Sequence, residues 1–235
     1  MPSFINLPPG YGGTIVEPAN RRTATYEPFA QGWFYDIGSF AAIAPSDGAY
    51  YLAVFDPRSA TGSYAVTVGY LEKWTLPELI ALPWNIKRIQ IWEGQNVLAA
   101  LSPFFAILVL GSLWLFVRHK KGKGPGSLSQ WFASLGGLAY AASAVASLHQ
   151  MLLAARFAPI PARDFTITLT IASIPAILAV IVLNYGLQKA KSFKITQRIG
   201  LVATSVVGLI LFTGLYLGPT LTLLAAIVKP ANIHK

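Results

Sequence analysis

At 235 residues the chain has room for one or two domains, and a mean hydropathy of +0.53 with only 11% charged residues sets it apart from soluble proteins of that size. Cysteine is absent, which excludes disulfide frameworks, thiolate metal sites and cysteine nucleophiles. The formal charge of +9 does not mark a nucleic-acid binder, because the basic residues sit in short loops between apolar runs rather than on one face.

The chain changes character near residue 97. Six Lys/Arg and eight acidic residues precede that point, a net charge of −2. Twelve Lys/Arg follow it against the single acid Asp164, a net charge of +11. This split predicts a water-facing part joined to a multi-span membrane part.

Residues 1–16 lack the basic start and sustained apolar core of a secretory signal. Residues 1–32 are rich in Pro, Gly, Asn and Thr and read as irregular or extended chain. Three strands are expected next, over residues 32–43, 49–55 and 63–70, with alternation clearest in the last two. Turn chemistry at Ser46-Asp47-Gly48, Asp56-Pro57-Arg58 and Thr61-Gly62 separates them, and the last two are expected to pair as an antiparallel hairpin. Residues 1–75 are thus expected to form a small β-rich, sandwich-like extracytoplasmic domain.

The stretch 47–70, DGAYYLAVFDPRSATGSYAVTVGY, places Gly48, Tyr50, Tyr51, Val54, Gly62, Tyr64 and Val66 in a glycine, paired-aromatic, strand-turn-strand order. It resembles the closing hairpin of bacterial and archaeal pre-peptidase C-terminal-like sandwiches. The upstream EPANRRTAT at 17–25 is similar to that family's opening, departing from it where acidic residues are expected. The resemblance implies an extracytoplasmic interaction or stabilising module and carries over no catalytic residue.

Residues 76–96 read as an amphipathic linker on the membrane surface. Leu79, Ile80, Leu82, Ile86 and Ile89 fall near one helical face, and Trp84 and Trp92 suit headgroup depth. Four transmembrane helices are then expected, at about residues 97–117, 128–155, 165–188 and 199–228, each long enough to cross a hydrocarbon core that needs about 20 residues. They predict a four-helix bundle followed by a short tail, 229–235.

Orientation follows from charge. Loops 118–127 and 189–198 carry four Lys/Arg each, whereas Arg156, Arg163, Lys229 and Lys235 are shared between the opposite loop and the tail. The two richer loops are expected in the cytoplasm, with the N-terminal part and the C-terminus outside. Export of such an N-terminal part implies a signal upstream of, or processed from, this chain.

Four-residue spacing of small residues at Gly137 and Ala141, and at Gly200, Thr204 and Gly208, lets helices approach closely in lipid. Such stripes serve either packing within the bundle or docking of other subunits.

Little reactive chemistry is visible. His149, followed by Gln150 in the second expected span, is a functional candidate by default: a haem ligand, a quinone contact or a proton relay. A bis-histidine haem would need a second intramembrane His, and a structural hydrogen bond across the bundle, with Gln150, is the simpler reading. Asn184 and Tyr185 suit interhelical hydrogen bonding, and Asp164 suits the cap of the third span. With no acidic relay, proton-driven transport is disfavoured. No catalytic residue, metal site or cofactor is expected beyond lipid contacts.

The sequence therefore predicts a non-catalytic accessory or scaffold subunit of a larger membrane assembly, touching lipids and other subunits or a second copy of itself. Trp33, Tyr50, Tyr51, Trp84 and Trp92 are its candidate contact residues, alongside Gly137, Ala141, Gly200 and Gly208. A quinone-linked subunit acting through His149 and a ligand-binding receptor or transport component are the alternatives.

Overall fold

The computed structural model describes residues 9–16, 23–44, 46–55, 64–69, 71, 73–190 and 192–228. The elements in chain order are β1 (Thr25–Glu27), β2 (Gly32–Phe34), α1 (Leu76–Trp92), α2 (Val97–Lys120), α3 (Leu128–Ala154), α4 (Ala162–Gly186) and α5 (Ile195–Ile210). A 3₁₀ turn (Thr213–Tyr216) then leads into α6 (Leu217–Ile227).

Local chemistry sets the helix ends. Thr75 and Glu78 form a capping box, with Thr75 N–H donating to Glu78 Oε2 at 2.7 Å, and Pro77 occupies the first turn of α1. Asn96 caps α2 by accepting from Leu98 N at 2.8 Å. Arg118, His119 and Lys120 fill the last turn of α2, where cations complement the helix dipole.

Among the described residues, α2, α3 and α4 are the helices long and apolar enough to cross a membrane, at roughly 36–40 Å each. The chain is a multi-pass membrane protein. α3 is its hub: 56% of its most apolar window is buried, against 17% for α2 and 33% for α4. Its small residues permit that burial. A Cβ at Gly137 would lie 2.7 Å from Leu183 Cγ, so α4 packs almost onto the α3 backbone. Tyr140, fully buried, fills the space among α3, α5 and α6 and donates to the Thr204 carbonyl at 3.1 Å.

The expected fourth span, 199–228, is not one helix. α5 and α6 fold back on each other as an antiparallel hairpin. Ser205 Oγ donates to the Pro219 carbonyl at 2.8 Å, and Arg198 at the start of α5 donates to the Ala226 carbonyl at the end of α6. The reversal lies at Phe212 (φ 54°), Gly214 (φ 63°), Leu215 (φ 51°) and Tyr216 (φ 66°), left-handed values that side chains disfavour. Gly214 is needed for space as well, since a Cβ there would sit 3.2 Å from the Ala139 carbonyl oxygen. The tip is thus wedged against the middle of α3. Hydropathy does not distinguish this arrangement from a single long span.

The expected β-sandwich is absent among the described residues. The sheet has two three-residue strands, β1 and β2, paired antiparallel with Tyr26 opposite Trp33. Only 32–34 of the first expected strand is in a ladder, and residues 49–55 and 64–69 belong to no strand or helix. The turns at 56–58 and 61–62, and most of the 17–25 stretch, lie outside the described residues. The physical reason is cover. An isolated hairpin is marginal without a further strand or a helix face against it. Here Tyr50, Tyr51, Leu52 and Val68 are 60%, 74%, 67% and 93% exposed.

Candidate functional site at the strand end of the bundle

The β1–β2 hairpin sits on the ends of α3 and α4. Ala24 and Tyr26 bury against Met151, Ala154 and Ala158, and Trp33 stacks on Phe157 with ring centres 4.4 Å apart. Thr168 Oγ1 donates to the Pro28 carbonyl (3.1 Å), leaving its lone pairs for the Tyr26 hydroxyl at 2.8 Å. Burial is the main cause that raises the Tyr26 pKa.

The turn is tied by polar bonds. The Glu27 carboxylate accepts from the backbone N–H groups of Phe29 and Ala30. Gln31, held at φ 52°, donates to the Pro28 and Phe29 carbonyls. From α1, Gln90 Nε2 donates to the Ala30 carbonyl at 3.0 Å, and Lys87 Nζ donates to Gln90 Oε1 at 2.9 Å. Burial lowers the Lys87 pKa to about 8. The Glu93 carboxylate lies against Gly32, whose Cβ, if present, would be 3.0 Å from Oε1. Burial, with the nearby Glu27 charge adding to it, raises the Glu93 pKa to about 7.

α2 and α3 run antiparallel here: Phe104 packs on Ala142 and Ala146, and a Cβ at Gly111 would strike Leu138. Gln150 continues the 142–146 stripe toward the start of α2. Among the described residues, Ser134 Oγ near the start of α3 is buried without a hydrogen-bond partner, and so, at the other end, are Glu93 Oε2, His149 Nδ1 and both amide atoms of Gln95 and of Gln150. Buried polar atoms are seldom left so, and all but the Ser134 hydroxyl belong to the α1–α2 junction and the last turns of α3.

The structural hydrogen bond expected across the bundle at His149 and Gln150 is thus not made by His149 Nδ1 or by the Gln150 amide. Asp164 does not cap α4 either: Pro161 is the capping residue, and Asp164 sits in the first turn, 3.1 Å from Arg163 Nε.

The other sequence candidates are dispersed. Trp33 belongs to the hairpin anchor, while Tyr50 and Tyr51 stand on the segment 46–55, the latter 5.7 Å from the Tyr11 ring. Trp84 and Trp92 are about half exposed on α1. Gly137 faces Leu183, Gly200 faces the Tyr185 ring, Gly208 faces Tyr140, and Ala141 packs on the α3–α4 core. Sequence reasoning missed Glu93 and Gln90, and it missed Tyr216, whose hydroxyl reaches the Leu79 and Ile80 carbonyls of α1. A readable signal for that last contact was Pro83 inside a helical pattern.

Chemically, this end offers amides, the half-buried titratable side chains of Lys87 and Glu93, and an anchored hairpin. Among the described residues no three His, Asp or Glu side chains gather as a metal site would require. No protein-family model, no curated protein and no solved structure matches the chain.

Proposed function

We propose that the chain is an integral membrane scaffold or accessory subunit that presents the segments 35–44, 46–55 and 64–69 to a partner outside the membrane. The carrying observation is the anchoring of this arm at both ends. Before it, Trp33 stacks on Phe157; after it, α1 lies over the α5–α6 tip through Tyr216. Between those points Ile37, Phe40, Ile43, Tyr51 and Val68 are 57%, 63%, 96%, 74% and 93% exposed. Concentrated apolar exposure marks an interaction surface.

Orientation is part of this reading. The lysine- and arginine-rich loops that follow α2 and α4 face the cytoplasm and the arm faces outward. Because α5 and α6 form a hairpin, the end of α6 returns to the cytoplasmic side, opposite to the side expected for a continuous fourth span.

The test is photo-crosslinking from a benzophenone side chain at Tyr51 or Leu52 in native membranes, followed by sizing in mild detergent. A discrete crosslinked membrane protein and a particle larger than the monomer are expected. A chain that sizes as a homogeneous monomer and yields no crosslink would sink the reading.

A further inference from the structure

At the opposite, basic end, α2 and α3 leave an apolar groove of about 490 Å³ lined by Leu108, Val109, Ser112, Leu113, Phe116 and Trp131. It follows α2 for about 12 Å, within the stretch that lies in hydrocarbon. Its mouth is cationic. Lys120 Nζ lies 4.8 Å from the Phe116 ring centre, and Arg118 stacks over Trp114 at 4.9 Å. The groove's Trp131 meets the His119 ring edge-on at 5.4 Å, and His119 Nδ1 is bonded to the Pro125 carbonyl, which fixes the loop beside the mouth. Lys121 and Lys123 follow, both exposed, and the first turn of α3 contains no acid to offset them.

We infer that this groove holds an acyl chain of an anionic phospholipid whose phosphate pairs with Lys120 and Lys121. Charge complementarity selects the occupant. Any lipid tail can lie on an apolar surface in the bilayer, but a net-negative headgroup gains from the uncompensated cations at the groove mouth, whereas a zwitterionic head adds an ammonium that opposes them. Lys120 holds its ammonium above the Phe116 ring, and the exposed Lys121 follows it at the helix end. This proposal stands apart from the scaffold reading, since it concerns the other end of the bundle.

The test uses the full chain in micelles doped with phosphatidylglycerol or phosphatidylcholine carrying dibrominated acyl chains, which quench nearby tryptophan. The Trp131 contribution is read as the difference between the wild type and W131F. Brominated phosphatidylglycerol is expected to quench it at far lower mole fraction than the phosphatidylcholine. In the K120Q/K121Q variant about 30-fold more phosphatidylglycerol should be required, at the usual contribution of a basic side chain near an anionic surface. Equal quenching by the two lipids, or no change in the double variant, overturns the proposal. Should W131F fail to fold, native mass spectrometry of the wild type from equimolar micelles decides: retained phosphatidylglycerol supports the site, and equal or no retention overturns it.

Discussion

The hydroxyl of Tyr216 lies 3.3 Å from the carbonyl oxygen of Leu79, the acceptor that Pro83 leaves without its helical partner. A proline four residues on has no N–H to donate and its ring crowds that carbonyl. The same hydroxyl reaches the Ile80 carbonyl at 3.1 Å, so one side chain at the left-handed end of the tip joins α1 to the α5–α6 hairpin. Y216F is expected to destabilise the protein by about 1 kcal/mol, the usual net value of such a bond. In P83A the restored N–H competes for the Leu79 carbonyl, so the cost of Y216F should shrink. A double-mutant cycle on thermal unfolding in detergent measures the coupling, and additive effects would refute it.

The hairpin makes a topological prediction that a continuous span contradicts. Ser192 precedes α5 and Val228 follows α6, and Arg198 bonded to Ala226 puts both on one side. The chain contains no cysteine, so S192C and V228C are clean single-site reporters. An impermeant maleimide should label both from the same face of oriented vesicles. Labelling from opposite faces would restore the single span.

How much of this was legible in sequence depends on where the determining forces act. The apolar runs at about residues 97–117 and 128–155 lie in α2 and α3, because hydrophobic length is local, and the caps Asn96 and Ser127 are local too. The linker likewise starts where Thr75 and Glu78 form their box. The 199–228 run misleads because its reversal depends on tertiary contact: Gly214 against Ala139, and Gly208 and Gly218 against Tyr140. The same holds for β1, which is three residues long and is held by Thr168, 142 residues away. Strong alternation at 49–55 did not produce a ladder, since periodicity says which face seeks cover and not whether cover exists.

Two glycines of the bundle should respond oppositely to alanine. At Gly186 a Cβ would lie 2.8 Å from the backbone nitrogen of Ser134, which cannot yield without moving α3. G186A is expected to cost roughly 1–3 kcal/mol through overpacking. At Gly200 the nearest atom is the Tyr185 hydroxyl oxygen at 3.2 Å, the far end of a side chain that can turn aside. There the gain in helix propensity, up to about 1 kcal/mol, should leave G200A neutral or stabilised. Unfolding midpoints in one detergent compare the pair, and equal losses would mean that α4 does not pack on α3 as closely as described.

Glu93 sets the expected pH dependence at the strand end. Its carboxyl titrates near 7 in the folded protein against an ordinary value of 4.5, because burial and then the Glu27 charge disfavour the ionised form. Between those values the folded chain holds a proton that the unfolded chain has released. Stability must therefore fall as pH rises from 4.5 to 7 and change little beyond, as far as this group is concerned. Lys87 acts in a separate window: lowered from 10.5 to about 8, it makes stability rise with pH across that interval. E93Q keeps the hydrogen-bonding capacity of the neutral acid beside Gly32 and removes the titration. The wild-type unfolding midpoint minus that of E93Q, followed across pH 4.5 to 7, should decline steadily. The Trp33–Phe157 stack gives a local readout, since loosening of the hairpin alters its tryptophan emission in the same window. A flat difference curve would place Glu93 in water rather than against the hairpin.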